Sequence, residues 1–86
     1  MVQKISAPVS VALVFNHRCR SVVPRWVIWE GQTHKVIRLG FHYSYRGGRT
    51  LMHVFSVESA TLYFKLVLNT ETLFWTVEEI ADGEAD

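Results

Sequence analysis

Apolar and polar positions alternate with a period of two over most of this 86-residue chain. In residues 8–16 the odd positions Val9, Val11, Leu13 and Phe15 are apolar, while Ser10, Ala12 and Asn16 are small or polar. That is the pattern of a half-buried strand. Residues 25–29, Arg-Trp-Val-Ile-Trp, are rich in aromatic and β-branched side chains, and Glu30 and Gly31 then supply a tight turn. The return strand is read over residues 34–45. Its odd positions Ile37, Leu39, Phe41, Tyr43 and Tyr45 form one apolar stripe against mostly polar even positions. Gly47 and Gly48 follow, two successive residues that tolerate positive φ, and a fourth strand is expected over residues 50–57. Residues 58–61 turn the chain into Leu62-Tyr-Phe-Lys-Leu-Val-Leu68, whose even positions are all large and apolar. Residues 69–72, Asn-Thr-Glu-Thr, have the chemistry of a type I turn, and residues 73–80 close the set.

Two-residue loops at Gly47-Gly48, Ser59-Ala60 and Thr70-Glu71 would set Phe55 against Phe64, Leu66 against Trp75 and His42 against His53. Gly40 would then lie opposite Phe55 and bend its strand. All three hairpins place Leu51, Phe55, Val57, Leu62, Phe64, Leu66, Leu68, Leu73, Trp75 and Val77 on one face, the predicted core. The opposite face keeps Ile37, Leu39, Phe41, Tyr43, Tyr45, Met52, Val54, Tyr63, Val67 and Phe74. It is too apolar to be wholly solvated and calls for cover from the first strand, a second subunit or a ligand. The expected fold is all-β: a five- or six-stranded antiparallel meander curled into a small barrel, SH3-like or partly open, which hides its edge strands. Residues 1–80 form a single domain, and residues 81–86 are expected to be an acidic, disordered tail.

From Trp26 onward the string Trp26-x-x-Trp29-x-Gly31-x-x-His34-x-Val36, the Gly-Gly hairpin, His53-x-Phe55-x-Val57 and the closing Trp75-x-Val77 resemble a family of short bacterial β-meander domains of unknown function. In that family an aromatic-x-Trp-x-Gly turn opens the meander and a Trp strand closes it. The resemblance covers roughly residues 25–80. It implies the meander fold and no catalytic residue set.

Composition narrows the function by exclusion. The chain is 49% apolar and 20% charged, too apolar for intrinsic disorder, and no stretch approaches the length of a membrane span. A domain this small spends nearly all its large apolar side chains on one core, leaving few for a deep pocket. The single Cys19 can form neither an internal disulfide nor a zinc site with a second thiol. The apolar run of residues 5–15 reads as a strand, not a secretory leader, because Asn16-His17-Arg18-Cys19-Arg20 lacks a small-x-small cleavage pattern. A cytoplasmic location with no membrane partner is expected.

Charge is unevenly spread. Nine Lys and Arg residues and two acids lie in residues 1–70, against six acids and no base in residues 71–86. Basic side chains interleaved with aromatics are what single-strand binding uses, and the candidate binding residues are Arg38, Phe41, Tyr43, Tyr45, Arg46, Arg49, Tyr63 and Lys65. No metal site or cofactor is expected, since His42 and His53 have no third ligand on their face. No enzyme is expected either, as no Asp occurs before Asp82 to serve as an acid–base partner. The reading is a non-catalytic binding module. It acts through a protein partner or self-association at the aromatic face, with single-stranded nucleic acid on the same face as the other reading.

Overall fold

The computed structural model describes residues 2–82. They form eight strands: β1 (Val2–Pro8), β2 (Ser10–Asn16), β3 (Ser21–Trp29), β4 (Gln32–Lys35), β5 (Arg38–Gly47), β6 (Thr50–Glu58), β7 (Leu62–Asn69) and β8 (Trp75–Asp82). All strand pairs are antiparallel. Five strands make one sheet in the order β1-β8-β7-β6-β5, and three make a second in the order β2-β3-β4. The all-β antiparallel architecture is that of the sequence reading. The strand number is eight rather than five or six, and the two sheets do not close into a barrel.

The extra strands come from two places where an extended segment changes sheet. Pro8 cannot donate a hydrogen bond and ends β1; Val9 N–H then donates to the Trp75 carbonyl at 3.2 Å, and β2 begins in the other sheet. At the second crossing Val36 N–H donates to Arg25 O at 2.9 Å in the three-stranded sheet, and Ile37 N–H donates to Glu58 O at 2.8 Å in the five-stranded one. Two adjacent amides thus bond to different sheets, and the single strand expected over residues 34–45 is cut there into β4 and β5.

The core lies between the sheets. Val27 of β3 packs with Phe55, Val57, Phe64, Leu66 and Val77 of the five-stranded sheet, all essentially inaccessible. Around them Ile5, Val9, Val11, Val22, Trp29, Leu62, Trp75 and Ile80 are partly buried. The predicted core face is therefore the inner face, although the registers of the three hairpins from β5 to β8 differ from those expected. His53 faces Leu68, Phe55 faces Leu66, Val57 faces Phe64, Leu66 faces Val77 and Leu68 faces Trp75. In the first hairpin the loop is Gly48-Arg49, since Gly47 pairs with Thr50. Moving a two-residue loop by one position shifts each partner by two, and with a side-chain period of two no residue changes face.

Bulges do change faces, and they explain the departures. Between Leu39 and His42 the β5 register shifts, so Gly40 and Phe41 together oppose Ser56. Leu39, expected on the outer face, packs against the core. Gly40 lies over Ser56 rather than Phe55: a Cβ there would come within 2.7 Å of Ser56 Oγ and 3.2 Å of Ser56 O, so only glycine fits without movement. A shift between Lys65 and Leu66 on β7, with Glu78 as the extra residue on β8, likewise turns Ile80 inward opposite Phe64.

Leu73, predicted in the core, is 69% exposed. The β7–β8 connection is longer than two residues, and Leu73 closes it with φ 65° and an N–H donated to Asn69 O at 2.7 Å. The first two residues of the predicted tail, Ala81 and Asp82, belong to β8 and pair with Val2 and Leu62 respectively. The rest of that tail lies outside the described residues. The Glu30-Gly31 turn is as expected, both residues having positive φ, the backbone of a tight hairpin.

Candidate functional site

Because β5 ends the order of the five-stranded sheet, it has a hydrogen-bonded neighbour on one side, β6. Past the bulge, alternation points His42 and Ser44 to the inner side and Tyr43 and Tyr45 outward. Phe41 joins the outward row, stacked on Tyr43 with ring centroids 5.6 Å apart. The three rings are 47%, 45% and 43% exposed, a run of aromatic surface along an edge strand.

The register extends this face across the sheet. Tyr43 pairs with Val54, Val54 with Val67, Arg38 with Glu58, Glu58 with Tyr63, and Ser56 with Lys65. Six of the eight predicted binding residues, Arg38, Phe41, Tyr43, Tyr45, Tyr63 and Lys65, therefore share the outer face. Arg46 does not. It pairs with Leu51 and so projects to the inner side, its guanidinium donating to Arg49 O at 3.3 Å, and Arg49 sits in the loop itself. Val54 and Val67, at the centre of the face, are closed off by the protein itself, so the apolar exposure expected across it is concentrated on β5.

Electrostatics separates the two readings of this face. Arg38 reaches both carboxylate oxygens of Glu58 from one guanidinium nitrogen at 2.8 Å, and that hydrogen bond, with the carboxylate charge behind it, strengthens its hold on its proton. Lys65 lies 3.8 Å from Glu79 and 4.0 Å from Glu78. The acids that the sequence gathers near the C-terminus are carried by β8 to the middle of the sheet, beside the bases. Within the five-stranded sheet and its turns Lys4, Arg38, Arg46, Arg49 and Lys65 are matched by Glu58, Glu71, Glu78, Glu79 and Asp82. The aromatic face is electrically balanced rather than basic.

On the inner side of the same hairpin His42 Nε2 and His53 Nδ1 approach to 2.7 Å, and the His42 ring stacks on Phe55 at 4.2 Å. The two histidines meet as the sequence suggested, but diagonally, because His42 pairs with Phe55 and Ser44 with His53. One ring donates and the other accepts, so the pair is satisfied when neutral. Burial first, and the neighbouring His53 second, push the His42 pKa below the ordinary histidine value. A folded-state pKa below the unfolded one means the unfolded chain binds more protons, so this group's contribution is complete above about pH 6.5 and falls as the pH drops through the histidine range. The melting temperature should fall between pH 7.5 and pH 5, and His42→Gln should shrink that fall; an unchanged pH profile in the variant would remove His42 as its source. Among the described residues no three His, Cys, Asp or Glu side chains come together.

A shallow groove of about 590 Å³ runs between the β1–β2 crossing and the β7–β8 turn, lined by Pro8, Val9, Val11, Leu73, Phe74 and Trp75 among others. No ionisable side chain lines it.

No family model, curated protein or solved structure matches the chain. No helix is long and apolar enough to cross a membrane among the described residues.

Sequence reasoning missed the three-stranded sheet as a surface. Its exposed side chains include Phe15 and Trp26, with Arg18, Arg20, Arg25 and Lys35 and a single acid, Glu30. The signal was present as a stretch of four bases and one acid over residues 10–35, but only the neutralisation of the other sheet makes it stand out.

Proposed function

We propose that the protein is a non-catalytic interaction domain that takes up an extended segment of a partner protein along β5, its alternate side chains lying beside Phe41, Tyr43 and Tyr45. The observation that carries this is the ten-residue edge strand with a row of three exposed rings. Edge strands are ordinarily blunted by bulges, prolines, charges or shortness. β1 has a register shift and ends in Pro8, and β4 is four residues long. β2 is seven residues long and its pairing with β3 shifts register between Ala12 and Leu13. β5 has its bulge at Gly40 and Phe41 and a charge at Arg46, and between them His42, Tyr43, Ser44 and Tyr45 are unguarded. Strand addition uses main-chain hydrogen bonds for affinity and alternate side chains for specificity, and a balanced aromatic face suits it better than it suits phosphate.

Selection of peptides from a random library against the domain tests the reading. Peptides alternating apolar and polar residues should be recovered, Tyr43→Ala should weaken them about tenfold or more, and N-methylation of alternate peptide amides should abolish binding. Selected peptides that bind Tyr43→Ala as well as wild type, or tolerate N-methylation at every position, would contradict it.

A further inference from the structure

The five-stranded sheet and its turns carry as many acids as bases, so the net positive charge of the described residues lies on the other sheet. Arg18, Arg20, Arg25 and Lys35 face one acid, Glu30, and none of the four has a carboxylate within ion-pair distance among the described residues. Glu30 sits in the β3–β4 turn, at the end of β3 away from Arg18 and Arg20, so the charge is polarised along the sheet.

One ring stands on this surface. Val27 is fully buried, so its neighbour Trp26 points to the outer face, where it is 41% exposed. Its cross-strand partners are Ala12 on β2 and Lys35 on β4. The alanine leaves one flank of the indole open and the lysine places an ammonium on the other. Arg25 is the extra residue of the β3 bulge: Ala12 pairs with Trp26 and Leu13 with Pro24, leaving Arg25 without an opposite number. Bulges of this kind re-aim a side chain. From Trp26 the sheet runs roughly 20 Å, at about 3.3 Å per residue, to the β2–β3 tip that holds Arg18 and Arg20.

We infer that the outer face of the three-stranded sheet binds single-stranded nucleic acid, with a base stacked on Trp26 and the backbone phosphates following Arg25 and Lys35 toward Arg18 and Arg20. A line of cations beside an exposed ring is the combination that single strands require, because each base has a stackable face and each linkage a charge. A duplex keeps its bases stacked inside and gives Trp26 nothing to stack on. The site is separate from β5, so it stands or falls independently of the strand-uptake function.

The test is fluorescence anisotropy of a labelled 15-nucleotide oligothymidylate at about 50 mM salt, where electrostatic attraction is strong. Binding is expected, with a log–log salt slope of about −3 for four neutralised phosphates. Trp26→Ala should weaken it about fivefold or more, and Trp26→Phe should restore most of the loss. Arg18→Gln with Arg20→Gln should flatten the slope by about 1.4. Arg46→Gln with Arg49→Gln, and Tyr43→Ala, should leave binding unchanged. Thermal melting of each variant confirms that the fold is retained, as is expected where the replaced side chains are exposed. No binding at about 50 mM salt, binding indifferent to Trp26→Ala in a folded variant, preference for duplex of the same length, or binding to phosphatidylserine vesicles but not to the oligonucleotide would each overturn the inference.

Discussion

Truncating Phe64 to alanine is expected to cost about 3 to 5 kcal/mol, a large share of the stability of a domain this size, and to lower the melting temperature by more than about 10 °C. Phe64 is completely inaccessible, lies between Val57 and Ile80 in the sheet, and meets the edge of His34 from the opposite sheet at 5.3 Å. The cavity left by its ring would open between the two layers, where neither sheet can collapse without breaking its ladder. Thermal and urea unfolding of the variant measure the cost. Melting close to wild type would mean that the inner and outer faces had been exchanged.

Val27→Asp should have a still larger effect and tests the second sheet. Val27 is the fully buried residue that the three-stranded sheet contributes to the core cluster. A carboxylate there would lose its hydration with no partner and could remain only by staying protonated, so no cooperative unfolding transition is expected at pH 7. The control is Ala12→Asp, one strand away on the exposed outer face, which should change stability by no more than about 1 kcal/mol. If both variants fold alike, the sheets do not pack as described.

These two residues also show what the sequence makes legible. Phe64 belongs to the predicted core, and it stays there although the three loops from β5 to β8 are displaced, because a two-residue slip preserves the alternation that assigned it. Val27 was placed in a strand, but the layer to which that strand belongs was not readable. At Val36 and Ile37 the backbone remains extended while its hydrogen-bond partners change sheet, and extended residues look the same in either one. The bulges at Gly40, Phe41 and Glu78 were equally silent, since one additional residue in a strand disturbs the pattern no more than ordinary variation does. Leu39 and Ile80 were misplaced or missed for that reason, and Leu73 because the β7–β8 connection is longer than the two-residue loop expected there.

The candidate site was legible as a set of aromatic and basic residues on one face, but its electrostatics was not. Only residues 81–86 read as an acidic tail; Glu78 and Glu79 fall in the closing strand of residues 73–80, and the charge split along the chain does not show which bases they meet. The structure brings β8 between β1 and β7 and sets Glu78 and Glu79 beside Lys65. That placement removes the positive character from the aromatic face and leaves it on the sheet that carries Trp26.

Native-state amide hydrogen exchange along β5, with and without a peptide selected against the domain, tests the proposed strand uptake most directly. In the free protein the amides of residues 42–45 should alternate, slow where they bond to β6 and fast where they point away from it. On adding the peptide the fast set should become protected while exchange in β2, β3 and β4 stays unchanged. Protection confined to the three-stranded sheet, or fast β5 amides that remain fast in the saturated complex, would contradict the assignment of this edge as the docking strand.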